Sequence, residues 1–433
     1  MDLFINNLEI IFYIFLWICL LAFYIRRDKR ITLGIALLSL YTMQAIVALV
    51  VYTSPMSEFN GLEMSIWPFF YLFFMIYLSL KPILSLKEHS VRNIEIPNSR
   101  FLTGLCVFFS VFAIINIIII LPQIENGLQL LMVSDNEGIL DIYGESTADK
   151  GSQRSFSGII NIQGVISNMA NYITPLLFFT YYIKENKNKI VLVLLIIALL
   201  QGPLTGIANA SRQQLLAQVF VFFLLYFFFK PYIKHQENKV FKRTFVIFIS
   251  FLISVFAVIT LARTSQKSYR GDSIYNMESY FAQGPINFNV YCMDANGTRE
   301  GYRVAPLFLQ LMGKQSLTPE QIRFKYQHMK IDSSSFATYV GDFVLDFGPI
   351  GAFAIFLCFF IMFTLMMQHG KSLSYGQVVV VFILVRFCSG YYQFGFGNVG
   401  GNLAFFLLLT LSLIFLKKDS LKNRKTEIIK RQQ

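Results

Sequence analysis

The 433-residue chain is 55% hydrophobic and 16% aromatic but only 14% charged, and its formal net charge is +12. An ordinary soluble domain carries about 25% charged residues, whereas here the apolar residues fall in blocks of about 18 to 23 with the charges between them. This excludes a soluble globular enzyme, a disordered chain and a disulfide-rich secreted domain, and it indicates an all-α, polytopic membrane protein.

Taken in chain order, eleven spans are predicted, with ten to twelve compatible with the pattern: 8–25, 31–52, 62–80, 101–121, 159–183, 190–208, 215–233, 244–261, 343–367, 376–394 and 399–416. Each approaches the length that crosses about 30 Å of hydrocarbon at 1.5 Å per residue. Two depart from a uniform apolar composition: 159–183 is rich in Asn and Gly, and 190–208 contains Pro203. The basic cluster Arg26 to Arg30 follows the first apolar stretch instead of preceding it, so no cleaved signal peptide is expected. With no internal repeat, the chain 1–433 reads as one membrane domain.

Basic residues orient the spans. Arg26 to Arg30, the 81–100 connection, Lys184 to Lys189, Lys230 to Arg243, Lys371 and the tail 417–433 all fall on one face, which then holds 24 of the 37 Lys and Arg residues. Cytoplasmic loops carry such an excess. The expected arrangement has the N-terminus outside, in the periplasm, and the basic tail in the cytoplasm. Nucleic acid is not needed to explain the positive charge. The opposite face carries the acidic loop 122–158 and the polar, Tyr- and Asn-rich loop 262–342. Loops this long are usually functional, and short amphipathic helices near the outer membrane surface are expected in the second.

Several residue types could carry chemistry. Arg212 ends the small-residue run Gly206 to Arg212 on the outer side, where it could snorkel as an anchor or hold a phosphate. Arg263, Lys267 and Arg270 directly follow a span. A helix continuing outward would gather them into an electropositive pocket with Arg212, suited to a pyrophosphate or to anionic headgroups. Tyr280 and Asn287 lie in a Tyr- and Asn-rich stretch of the kind that stacks on and hydrogen-bonds to sugars, or forms an interfacial belt. Arg299, Arg303 and His328 continue the basic loop. His328 is its one histidine and a candidate catalytic base, with Glu278 an alternative acid/base. Asp346 enters a long apolar run, where it could pair with one of the loop arginines. Arg386 lies within a span, a costly position that marks either an internal ion pair or a functional site. The five cysteines form no CxxC pair and no HExxH motif exists, so neither a metal site nor a cofactor is expected.

The small-residue stretch ending in Ser211-Arg212, the Ala262-Arg263-Thr264 junction and Ser334 to Gly351, with its Asp346-Phe347-Gly348-Pro349-Ile350-Gly351 ending, resemble the bacterial O-antigen or oligosaccharide repeat-unit polymerases, the Wzy family. The resemblance implies an inner-membrane glycosyltransferase fold related to the C superfamily. It implies transfer of a growing glycan from undecaprenyl pyrophosphate onto a new lipid-linked repeat unit, without metal or nucleotide sugar, and a chain-length regulator as partner. The pyrophosphate would fall to Arg212, Arg263 and Arg270, assisted by Arg299 or Arg303. His328 would match the periplasmic histidine of the related O-antigen ligases. Rival readings are such a ligase, a lipid-linked polysaccharide flippase or other transporter, and a purely structural membrane partner.

Overall fold

The computed structural model describes residues 7–86, 88–133, 159–264, 273–315, 317, 319–332, 335–367 and 372–432. The helices in order are α1 (Leu8–Asp28), α2 (Leu33–Thr53), α3 (Ile66–Leu84), α4 (Ser99–Ile119), α5 (Leu121–Val133), α6 (Ile159–Tyr182), α7 (Lys189–Leu199), α8 (Gln201–Ala208), α9 (Arg212–Phe229), α10 (His235–Thr264), α11 (Ser273–Asn287), α12 (Pro306–Leu311), α13 (Pro319–Lys325), α14 (Thr338–Met366), α15 (Tyr375–Cys388) and α16 (Val399–Gln432). A two-residue parallel pair, β1 (Asn93–Ile94) and β2 (Ser372–Leu373), is the one sheet among the described residues.

The protein is a polytopic helical membrane protein. Among the described residues nine helical segments are long and apolar enough to cross a membrane: α1, α2, α3, α4, α7 with α8, α9, α10, α14 and the Val399–Lys417 part of α16. The other two predicted spans are also helices of the bundle. α6 has the length, but Asn, Gln and Gly interrupt its apolar run. α15 has only 14 residues. The predicted span 376–394 is thus too long: the helix ends at Cys388, and 389–398 is irregular. The span 190–208 is broken at Leu200, shortly before Pro203, into α7 and α8. The tail 417–433 continues α16 as helix to Gln432.

The basic connections gather at one end of the bundle. Arg27 donates to the Leu84 carbonyl at 2.8 Å, and the Glu88 carboxylate accepts from the Leu33 N–H at 2.9 Å. Lys184 reaches Ser99 at 2.6 Å, Lys187 pairs with Glu237 at 2.5 Å, and β1 pairs with β2. The same end starts helices with polar caps. The side chains of Thr32, Asn98, Asn188 and Ser374 accept first-turn N–H groups of α2, α4, α7 and α15, satisfying donors that a helix start leaves open.

The core between these helices is aromatic. Tyr13 stacks on Phe69 with ring centroids 4.8 Å apart, and Trp17 on Tyr41 at 5.2 Å. α14 is broken at Gly348, whose φ of 73° and ψ of 166° leave the helical region just before Pro349. Proline removes a helix donor, and the Tyr71 hydroxyl, in α3, donates to the Pro349 carbonyl at 2.6 Å.

The first part of the region 262–342 differs from a surface loop, whereas its second part is largely exposed and carries the short helices α12 and α13. α10 runs on to Thr264, α14 begins at Thr338, and α11 is packed against α2 inside the bundle instead of lying on the outer surface. Ala282, Ile286 and Phe288 are fully buried. A π-helical turn, Phe288–Cys292, follows α11.

Candidate anion site

The site begins with backbone that is not helical where a membrane helix would be. Gln44 of α2 donates to the carbonyls of Phe281 (3.2 Å) and Tyr391 (3.0 Å). It lies nine residues before the end of α2 that is opposite the basic end, about 13 Å along the helix axis. Tyr41 donates to the Cys388 carbonyl, and the Tyr339 N–H donates to the Gly390 carbonyl at 3.1 Å. α11 and the segment 389–398 therefore sit deep in the bundle. At such depth irregular backbone is tolerated only inside protein or along a cavity.

Arg386 stands at this break. It is eleven residues into α15, about 16 Å from the basic end, and only 5% exposed. One guanidinium nitrogen, Nη2, donates to the Asn171 carbonyl at 2.9 Å, and the group lies 5.0 Å from the centre of the Tyr172 ring. Among the described residues no carboxylate pairs with it, and its Nε has no hydrogen-bond partner. A charge so placed costs several kcal/mol, on the order of 3 or more, unless an anion joins it.

Tyr392 joins this arginine to a second one. Its ring lies close enough to Arg386 and to Tyr280 to interact with both electrostatically, and its hydroxyl donates to the Gln213 carbonyl at 3.2 Å. Arg212, the neighbour of Gln213, is 8% exposed and packs 4.7 Å from the centre of the Tyr280 ring. Local structure fixes its place. Ala210 takes a left-handed φ of 45°, the Ser211 N–H donates to the Gly206 carbonyl at 2.7 Å, and Arg212 opens α9. The two arginines are thus linked through Tyr280, Tyr392 and Tyr172.

Amides from α6, α8 and α9 flank the pair. Gln218 donates to the Asn171 side chain (2.9 Å), Gln201 to the Ser167 carbonyl (2.9 Å), and Asn398 to the Tyr172 hydroxyl (2.7 Å). Gly202 lies close beneath these amides: a Cβ there would stand 2.4 Å from Gln218 Nε2 and 2.6 Å from Asn171 Oδ1, so both amide ends would have to shift. The side-chain oxygens of Gln201, Gln214 and Gln218 are buried with no hydrogen-bond partner among the described residues. Such acceptors are costly when left unmade and match the hydroxyl donors of a polar ligand. Asn398 is exposed and marks where the cluster reaches the surface.

The remaining predicted residues divide sharply. Arg299 and Arg303 are engaged in a buried charge cluster at the start of α14. Arg299 Nη2 lies 3.3 Å from Asp342 Oδ1, its Nε 3.2 Å from Asp346 Oδ1, and Arg303 Nε 3.2 Å from Asp342 Oδ1. Asp346 also accepts the backbone N–H groups of Arg303 (3.0 Å) and Val304 (2.7 Å), while Asp342 accepts that of Phe394 (2.7 Å). Arg303 reaches Gln393 at 2.8 Å. Asp346 thus pairs with a loop arginine, as its position suggested. Asn287 is used internally, donating to the Phe336 carbonyl at 2.8 Å. His328 is exposed, in the turn after α13, where its carbonyl accepts from Asn296 at 3.1 Å. Glu278 is half-buried on α11, two residues before Tyr280. The backbone of Arg263 is in the last turn of α10, and its side chain lies outside the described residues, as do Lys267 and Arg270 altogether.

Sequence reading did not single out Tyr172, Asn171, Gln201, Gln218 and Tyr392. The signal was the Asn and Gln content of predicted spans, which marks polar contacts inside the bundle. Among the described residues no group of three His, Cys, Asp or Glu side chains could hold a metal. Set beside known proteins, the chain matches no family model, no curated protein and no solved structure.

Proposed function

We propose that the protein is a glycan polymerase of the inner membrane, acting on undecaprenyl-pyrophosphate-linked repeat units at its outer, periplasmic face. The reading joins the sequence resemblance to one observation: Arg386 is buried with no carboxylate partner among the described residues, in an amide-lined cluster shared with Arg212. A doubly anionic leaving group meets the need of such a cluster, and the unmade amide oxygens suit sugar hydroxyls.

In the proposed reaction an acceptor hydroxyl oxygen bonds to the anomeric carbon of the donor glycan. The bond from that carbon to the pyrophosphate oxygen breaks, the pyrophosphate leaves with the bonding electron pair, and the acceptor proton passes to the base. The pyrophosphate already activates the donor, so positioning and charge stabilisation carry the catalysis. Arg386 and Arg212 are assigned to the pyrophosphate. Tyr280 holds Arg212 in place, and Glu278, on the same helix, is the acid/base candidate.

The test compares surface glycan length in cells lacking the gene and in cells given back wild type, Arg212→Ala or Arg386→Ala at matched protein level. Single repeat units after deletion, not lengthened by the arginine variants, support polymerisation. Lipid-linked units retained inside would indicate a flippase, which the mid-depth Arg386 also suits. Full-length polymer left on the lipid would indicate a ligase.

A further inference from the structure

The segment Pro306–Lys314 is built unlike a water-facing loop. Pro306 opens α12 at a position where its missing N–H costs nothing. Gly313, with φ of 78°, closes it, as the Lys314 N–H donates to the Leu309 carbonyl (2.9 Å) and the Gly313 N–H to that of Gln310 (3.0 Å). Leu309 points inward and is buried. Phe308, Leu311 and Met312, spaced on one helix face, are 42%, 75% and 75% exposed.

Two anchors place this face against a membrane-spanning helix. Asn402 of α16 accepts the Leu307 N–H at 3.2 Å and donates to the Val304 carbonyl at 3.0 Å. The Phe308 ring then meets Phe406 edge-on, with centroids 5.3 Å apart. Phe406 is seven residues into α16 from its outer end, about 10 Å along the axis, and is itself part of the exposed flank of that span. α12 therefore descends beside α16 to a depth where the surroundings of a membrane protein are acyl chains. The charges stay at the top of the hairpin, where Glu300 pairs with Lys314 at 3.6 Å and Lys325 at 3.3 Å.

We infer that Pro306–Lys314 is a membrane-embedded hairpin, with Phe308, Leu311 and Met312 inserted among the acyl chains of the outer leaflet and the Glu300–Lys314–Lys325 cluster at headgroup level. The occupant of this apolar face is phospholipid. Continuity with the exposed flank of α16 argues for it, as does the change from apolar to charged side chains along the hairpin axis. This assignment does not depend on the glycan chemistry.

The experiment places a tryptophan at Leu311 (Leu311→Trp) or Met312 (Met312→Trp) in the full chain, reconstituted in nanodiscs of phosphatidylcholine with or without bromine on the upper acyl-chain carbons. The emission added over the parent protein is read. Gln327→Trp, an exposed position among the charged pairs outside the bundle, is the aqueous control. The expected result is at least a two-fold loss of the added emission with brominated lipid at Leu311 and Met312, with little quenching by iodide, and the reverse at Gln327. Equal iodide quenching at all three positions would overturn the inference by making the face aqueous. Protection from both quenchers would overturn it by covering the face with protein, such as a second copy of the chain. The two substitutions occupy independent exposed positions, so misfolding of one leaves the other as the test.

Discussion

Arg299 and Asp342 meet 3.3 Å apart with both side chains only 3% exposed. The pair binds the long connection between α10 and α14 to the start of α14, and through the Phe394 N–H it also fixes the irregular segment after α15. Losing one member of such a pair strands a charge. Arg299→Ala or Asp342→Ala is expected to cost about 3–5 kcal/mol, measured as a fall in the thermal transition of the detergent-solubilised protein. The double variant Arg299→Met with Asp342→Leu is expected to lie above Asp342→Ala, because it removes one charge of each sign and leaves Arg303 and Asp346 as a neutral remainder of the cluster.

Arg386 behaves oppositely if its charge serves a ligand. Arg386→Met keeps the volume and removes an uncompensated buried charge. The variant is expected to unfold at the same temperature as wild type or higher, while long-chain glycan falls by about 100-fold or more. A large loss of thermal stability instead would make Arg386 a structural residue.

Gly202 reads the amide layer. Gly202→Ala drives a methyl into Gln218 and Asn171 and is expected to cost about 1–3 kcal/mol. Gly104→Ala, where nothing lies within 4 Å, is expected to be neutral or to stabilise α4 by up to about 1 kcal/mol. Paired thermal melts of the two variants give the comparison, and glycan length should fall for Gly202→Ala alone.

Glu88, in the connection after α3, provides a pH readout. Burial raises its carboxyl to about 7, outweighing the backbone N–H groups of Leu33 and Gly34 that favour its charged form. Its folded-state affinity for a proton thus exceeds that of the unfolded chain, where a glutamate titrates near 4.3. Its contribution to stability therefore grows as pH falls from above 7 and is lost as pH rises through 7. Glu88→Gln keeps an acceptor for Leu33 and is expected to flatten the change of melting temperature between pH 5 and 8.

Hydrocarbon thickness made the spans legible, because it sets a length that the apolar blocks repeat. The basic connections, from Arg27 to Lys187, likewise meet at one end as their charge pattern implied. α11 was not legible. Its Ser, Asn, Glu and Gln residues resemble those of a surface loop, and only packing against α2 turns such a sequence into a buried helix. At the site, Arg212, Tyr280 and Arg386 stood out by residue type and place. Arg299 and Arg303 looked equally suited to a ligand because their partners, Asp342 and Asp346, lie some forty residues away and meet them only in the fold. The bond from Asn171 to Arg386 spans 215 residues, a separation on which spacing is silent.

The small parallel pair at the basic end has a consequence for biosynthesis. Asn93 is matched with Ser372, so the first strand leaves the ribosome 279 residues before its partner. At about 5–20 residues per second, that is an interval of roughly 14 to 56 s. During this time the early helices are already threaded into the bilayer while their seam stands open. Gln44 waits longer still for Tyr391, which follows it by 347 residues. The amino-terminal third of the chain is thereby held as a set of inserted but unsealed helices until translation is nearly complete, an interval in which a membrane-resident chaperone or protease would meet it.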